Sequence, residues 1–337
     1  MHDPGGQGLP AGPRTVARNA CRSAPAPHNG AAMTLLYTHP SGHLHATPPG
    51  HPEQVARLDA VLTALDGLDL DRRAAPAADD ADILRGHAPE YLAALERRTP
   101  DRGWSMLDAD TALSPDSLMA ARHAVGGVCA AVDAVLAGEA ANAFVAMRPP
   151  GHHAERARAM GFCIFSSVAL GALRALDHHG LGRVAVPDFD VHHGNGTQDL
   201  LWDERRAMFV STHQVPLYPG TGARSERGAH GQIVNVPLAS GGTGAQAREI
   251  WQDICARVLE WRPQLILISA GFDAHADDPL AGLMWRGRDF AAITRMIRDT
   301  ATACAAPVVS ALEGGYDLAA LGRAARAHVE VLRETAA

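Results

Sequence analysis

Seven short apolar runs recur along the chain after residue 33, at 34–37, 144–147, 184–186, 208–211, 233–236, 265–269 and 308–312. Several are apolar without alternation, the pattern of strands buried on both faces. Between them, apolar residues recur at helical spacing. Leu118, Val125, Val128, Val132 and Val135 share one face of a helix predicted to start with Ser114 as cap and Pro115 as first residue, and to end at Gly138. Val55, Leu58, Val61, Leu62 and Leu65 mark a second helix. Ile250, Ile254 and Val258 mark a third that stops before Pro263. Such strand–helix alternation calls for an α/β fold, a mostly parallel sheet covered by helices on both faces. No repeat or linker interrupts it, so residues 33–337 are expected to form one domain.

Residues 1–32 are rich in Gly, Pro, Ala and Arg and lack periodicity. A disordered tail is expected there, or a stretch upstream of a natural start at Met33. Arg14, Arg18 and Arg22, with little acid nearby, leave a transit peptide as another reading. The net charge of -7 argues against a nucleic-acid partner. No apolar run approaches the roughly 18 residues of a membrane span, and no secretory signal is evident, so no membrane association is expected. The five cysteines, Cys21, Cys129, Cys163, Cys255 and Cys304, are odd in number and lack metal-knuckle spacing. They point away from a disulfide framework and toward a reducing cytoplasm.

The chain has no lysine but eighteen histidines, several in pairs. Its polar clusters each follow an apolar run. The run 144–147 leads into Arg148-Pro-Pro-Gly-His-His153, and 184–186 into Asp188-Phe-Asp-Val-His-His-Gly-Asn195. The run 265–269 leads into Ala270-Gly-Phe-Asp273, and 308–312 into Glu313-Gly-Gly-Tyr316. In a parallel sheet, loops of this kind emerge at one edge, beyond the carboxyl ends of the strands, where ligands bind. Four separate motifs are thus expected to converge.

Asp190-Val-His192 is the strongest metal signal. In an extended segment, residues two apart point to one side, so both can reach a single ion. Asp273 can add a third ligand. Two carboxylates and an imidazole suit zinc with a coordination position left for water. An isolated Asp-x-His would read as an ordinary surface loop, but the companion loops favour a site. His152 and His153 could share the duties of base and acid toward an activated water. Asp188 and Asn195 flank the metal motif and could orient one imidazole each. Tyr316 could donate to a developing oxyanion; alone, it would read as a core or interface tyrosine.

Together these residues, with Gly161-Phe-Cys163, Gly196-Thr-Gln198 and Gly50-His-Pro-Glu53 … Arg57-Leu58, resemble the histone deacetylase family, which includes acetylpolyamine amidohydrolases and acetoin-utilisation proteins. The resemblance runs from about Leu35 to the last helix. It implies the three-layer αβα arginase/deacetylase fold, with a central mostly parallel sheet of about eight strands. It also implies one zinc ion on Asp190, His192 and Asp273. By the same resemblance His152 pairs with Asp188 and His153 with Asn195. His153 is then the main base and acid, with His152 as its electrostatic support, and Tyr316 polarises the acetyl carbonyl. Asn195 stands where class I members carry Asp, and so looks like the class II branch. Phe162 and Tyr218 are implied as tunnel walls, and the Gly161 carbonyl as acceptor of the substrate's amide hydrogen. A structural potassium is implied near Asp188, Asp190, His192 and Ser211.

The substrates implied are acetylated lysine side chains or acetylated polyamines. Polyamine-specific members place an acidic residue near the tunnel mouth. Here the position after Asp278-Pro279 is Leu280, which suits acetyl-lysine better, although Asp108, Asp110 and Asp116 lie in a loop that can reach the mouth. Homo-oligomerisation is compatible with the sequence but not specified by it. Two rivals share the fold. A dinuclear manganese ureohydrolase would need carboxylates where Gly194 and His275 stand. A non-catalytic binding module would be expected to lack a ligand, a base or the oxyanion donor, and none is missing.

Overall fold

The computed structural model describes residues 33–334; the expectations for residues 1–32 lie outside them. Ten strands occur among the described residues: β1 Leu35–Thr38, β2 Asp71–Ala74, β3 Ser105–Met106, β4 Ala112–Leu113, β5 Asn142–Val145, β6 Val184–Asp188, β7 Ala207–Gln214, β8 Ile233–Leu238, β9 Ile266–Ala270 and β10 Val308–Leu312. Eight form one sheet in the order β2-β1-β5-β10-β9-β6-β7-β8. Every pairing in that sheet is parallel. β3 and β4 form a separate antiparallel hairpin.

Alternate strand residues build the two apolar layers. Leu36, Phe144, Ile266 and Ile268 face one layer with Leu58 and Val61, Trp251 and Ile254, Phe290 and Ile293, and Ala324 and Val329. These come from the helices Ala56–Ala64, Gly244–Trp261, Gly287–Ala303 and Leu318–Arg333. Leu35, Tyr37, Ala143, Val145 and Leu267 face the other layer, with Val128, Val132 and Val135 of Ser117–Ala137 and Val168 and Leu176 of Ser167–Asp177. This is the three-layer αβα arrangement expected, with eight strands. It explains why the central strands read as unbroken apolar runs: neither face meets water.

The structure departs from the expected elements at several places. The long helix begins at Ser117, with Asp116 at its cap position, so Ser114 and Pro115 lie in the turn before it. There the Ser114 backbone N–H donates to Ser117 Oγ at 2.7 Å. Its end is as expected, with Gly138 left-handed at φ 82°. This same helix is long and apolar enough to cross a membrane, which the sequence reading did not single out, but it is mostly buried inside the fold. β2 was missed because Asp-Arg-Arg-Ala carries no apolar signal. It is an outer strand paired only with β1, and its residues alternate between partial and full exposure.

Candidate active site

The four loops expected to converge leave β5, β10, β9 and β6, which are consecutive in the sheet. Their carboxyl ends therefore lie side by side.

Asp188 closes β6. Asp190 and His192 follow in a bend, not in the extended segment that the sequence suggested. The Asp190 N–H donates to Asp188 Oδ1 at 3.0 Å, and the His192 N–H to Asp190 Oδ1 at 2.9 Å. Two successive carboxylate–backbone turns, rather than strand alternation, bring Asp190 and His192 together. Phe189 and Val191, on either side of Asp190, are wholly buried in the core and anchor the bend.

Asp273, just beyond β9, completes the group. Asp190, His192 and Asp273 are buried, and each offers a ligand atom within 4.8 Å of the others. His192 Nδ1 lies 3.2 Å from Asp190 Oδ1 and 3.1 Å from Asp273 Oδ2. The Val191 N–H donates to Asp273 Oδ1 at 2.8 Å and the Gly314 N–H to Asp190 Oδ2 at 2.8 Å. Burial, then the neighbouring Asp190 charge, pushes Asp273 up to about 7. Burial works against a charged His192, yet its hydrogen bonds to Asp190 and Asp273 hold it at about 10. Asp190 stays far below the usual carboxylate range despite burial, because His152 and His192 face it. The cluster demands positive charge at its centre, and its mixed oxygen and nitrogen donors fit a divalent metal ion. No other group of three His, Cys, Asp or Glu residues meets the same test among the described residues.

Two glycines make the close approach possible. A Cβ on Gly271 would fall 2.0 Å from Asp190 Oδ2, and one on Gly314 2.1 Å from Asp273 Oδ2. Gly314 thus serves to admit the Asp190 and Asp273 carboxylates, whereas the sequence suggests only a flexible loop for Tyr316.

The loop after β5 presents the histidine pair. The Gly151 and His152 N–H groups donate to Glu313 Oε2 at 2.7 and 3.1 Å, and Ser269 Oγ donates to Glu313 Oε1 at 3.2 Å. Glu313 therefore ties the histidine loop to β10. Burial pushes its carboxyl up to about 7. The sequence reading gave it no role, although it opens the Glu-Gly-Gly-Tyr motif. His152 Nδ1 is 3.0 Å from Asp188 Oδ2, and His153 Nδ1 is 2.8 Å from Asn195 Oδ1. The two rings are 4.0 Å apart between centroids. Burial disfavours charge on both. Asp190 and Asp188 nonetheless raise His152 well above its ordinary range, whereas burial, His152 and His192 hold His153 well below it. The two imidazoles are thus pushed in opposite directions.

Tyr316 is buried, and its N–H donates to Asp278 Oδ2 at 2.7 Å. The Leu280 N–H donates to the other oxygen of Asp278 at 3.0 Å. Burial lifts the Tyr316 hydroxyl well above its usual range, with Arg57 pulling the other way, so it keeps its proton as a donor. The Phe162 ring packs edge-on to Tyr316 at 5.7 Å, and the Tyr218 ring lies 5.2 Å from His153 and 6.3 Å from His192. Phe162 has a left-handed backbone, φ 68°, and its N–H donates to Thr111 Oγ1 at 3.0 Å. The Gly161 carbonyl accepts from Cys163 Sγ at 3.3 Å, which leaves one lone pair free. Of the acidic loop, Asp110 lies near the Gly161 backbone, and burial first, then the charges of Asp110 and Asp108, lift the Tyr218 hydroxyl above its usual range. Asp116 instead occupies the helix cap. Ser211 pairs in register with Asp188, and its hydroxyl meets His213 Nδ1 at 3.0 Å.

Beneath the site lies a buried ion network. Arg148 grips Glu53 at 2.6 and 2.7 Å, and Arg57 Nη1 donates to Glu53 Oε1 at 2.9 Å. The segment of Glu53 and Arg57 was recognised in the sequence without a role. The clefts along the outer strand β8, lined by Arg224 and Ile250 among others, hold none of the candidate residues.

Residues 51–332 match the model of the histone deacetylase domain. The chain belongs to the histone deacetylase family. A histone deacetylase-like amidohydrolase of Pseudomonas aeruginosa is 42% identical over 273 residues, covering 79% of this chain and 71% of that protein. A probable deacetylase of Methanothermobacter thermautotrophicus is 40% identical over 299 residues, covering 86% of this chain and 88% of that one. The crystal structure of the HDA15 HD domain superposes with a TM-score of 0.84 at 30% identity, covering 89% of each chain. This histone deacetylase-family chain is thus a deacetylase-type amidohydrolase. A ureohydrolase reading gains nothing from the geometry: His275 lies outside the metal-binding group, with Nδ1 3.6 Å from Asp277.

Proposed function

We propose that this chain removes acetyl groups from N-acetylated amines by zinc-dependent hydrolysis, acting on acetyl-lysine side chains or small acetylated amines. One observation carries the reading. The Asp190, His192 and Asp273 group lies beside the His153 imidazole, whose Nδ1 is fixed by Asn195. When bound there, zinc supplies a Lewis acid that polarises the acyl carbonyl and makes water acidic enough to give up a proton. His153 Nε2 takes that proton and returns it to the departing amine. His152, held by Asp188 and favoured in its charged form by that carboxylate, stabilises the negative charge that gathers nearby. The Tyr316 hydroxyl donates to the oxyanion. Phe162, Tyr218 and Leu280 shape an apolar approach for a methylene chain, with the free lone pair of the Gly161 carbonyl for the amide hydrogen. We extend the reading to a structural potassium held by oxygens of Asp188, Asp190, His192 and Ser211, supported by the Asp188–Ser211 register. The unpaired state of Cys129, Cys163, Cys255 and Cys304 suits a reducing cytoplasm.

A second reading, acetylated polyamines, is favoured by Asp108 and Asp110 beside Tyr218. Two like charges there attract a distal ammonium. Turnover of acetyl-lysine peptides, acetylputrescine and acetylspermidine, with Asp190→Ala as control, tests both. Deacetylation lost in Asp190→Ala is expected. Activity that survives in Asp190→Ala, or no turnover of any acetylated amine by zinc-loaded protein, overturns the proposal.

A further inference from the structure

The Asn195 amide does more than meet His153. Its Nδ2 donates to Glu155 Oε1 at 2.8 Å, with Met160 Sδ at 3.3 Å and the His153 carbonyl at 3.4 Å as weaker acceptors on the same side. Asn195 is buried and Glu155 half-buried.

The donor and acceptor inventory turns this chain of contacts into a constraint. An ionised carboxylate can only accept. The Asn195 NH2 must therefore face Glu155, and its Oδ1 must face His153 Nδ1, at 2.8 Å. An amide oxygen cannot donate, so His153 must carry its proton on Nδ1. That leaves the Nε2 lone pair free to accept a proton. If the amide turned over, its NH2 would donate to Nδ1, the proton would sit on Nε2, and His153 could not accept one there.

We propose that Glu155 is a positioning residue that sets the tautomer of His153 through Asn195. This rests on His153 as the proton-transfer group. Glu155 touches neither substrate nor metal ligands, and nothing in its sequence context marks it except its place two residues after the histidine pair.

The test is a variant series read by turnover, metal content and imidazole nitrogen NMR of the zinc-loaded protein. Glu155→Ala is expected to lose kcat by about 10–100-fold, the range for deleting a partner that orients a functional imidazole, with KM and zinc content nearly unchanged. Glu155→Gln is expected to fall between wild type and Glu155→Ala, because a glutamine amide permits either orientation of Asn195. In an Asn195→Asp background the order should reverse. Glutamate at 155 would then oppose a second carboxylate, whereas glutamine would donate to it, so Asn195→Asp/Glu155→Gln should outperform Asn195→Asp. A purely structural role predicts no reversal. The NMR signal of His153, assigned by its absence in His153→Gln, should report Nδ1–H in wild type and a mixture of tautomers in Glu155→Ala. That readout stands even if the deacetylase reading fails. Wild-type kcat and an unchanged His153 tautomer in Glu155→Ala overturn the proposal, as does equal activity of the single and double variants carrying Asn195→Asp.

Discussion

Arg57 lies over the Tyr316 ring, its guanidinium carbon 4.9 Å from the ring centroid, while its Nε donates to the Gly315 carbonyl at 2.6 Å. A buried cation thus clamps the glycine turn that presents the hydroxyl. The same side chain bonds the Glu313 carbonyl, so it fixes both ends of the turn. With the turn held this way, Tyr316→Phe removes a donor without releasing the loop. It is expected to lower kcat by about 10²–10³, as for one oxyanion-hole donor, with zinc content unchanged. KM should move less than kcat, since the bond is strongest in the transition state. Near-normal kcat with chemistry rate-limiting would reduce Tyr316 to a lining residue.

The glycine at 271 should be as sensitive as a ligand. A methyl group there meets Asp190 Oδ2 at 2.0 Å, and the carboxylate sits on a bend too well anchored to retreat. Gly271→Ala is expected to lose most bound metal and activity. Full metal occupancy in this variant, measured by elemental analysis, would show that the site tolerates the displacement.

The network below the site should matter for stability. Glu53 is wholly buried between Arg148 and Arg57. Glu53→Gln leaves two buried guanidinium groups without their counter-charge, at a cost of about 3–5 kcal/mol in denaturant unfolding. Burial opposes the Glu53 charge, but Arg148, His45 and Arg57 hold its carboxyl well below its ordinary value of 4.5. Its folded-state value lies below the unfolded one, so the stabilisation is present above pH 4.5 and fades as pH falls toward the folded value. The gap between wild type and Glu53→Gln should shrink in acid. A gap that is small at neutral pH, under about 1 kcal/mol, would mean that the network contributes no more than a surface ion pair.

The tunnel mouth should discriminate by charge. Burial and then Asp108 raise the Asp110 carboxyl, and an ammonium between them would relieve that repulsion. Asp110→Asn is expected to raise KM for acetylputrescine by roughly fivefold, the size of one partly exposed ion pair, and to leave KM for a neutral acetyl-lysine amide unchanged. Equal effects on both substrates would make Asp110 a scaffold for Gly161 alone.

Much of this was legible in the sequence because its signals are local. Unbroken apolar runs such as 265–269 read as strands covered on both faces, and the polar cluster after each run marks the carboxyl edge. The sequence marks Asp190, His192 and Asp273 as candidate ligands, and the structure gathers them, although by a bend of carboxylate–backbone turns rather than an extended segment. What stayed hidden depends on distant partners. β2 carries no apolar pattern because it borders the sheet. Glu313 and Glu155 are single carboxylates whose roles appear only when Gly151 and Asn195 arrive from other loops. The start of the helix at Ser117 was misplaced because Ser-Pro is a strong local signal, and here it marks the preceding turn.

In the proposed function one metal ion, held by Asp190, His192 and Asp273, supports the hydrolysis. Metal-free protein titrated with zinc, with acetyl-lysine amide turnover read at each step, tests it most directly. Activity should rise linearly and level off at one equivalent per chain. Activity that appears only beyond one equivalent and levels off at two, or that is already full in the metal-free protein, would contradict it.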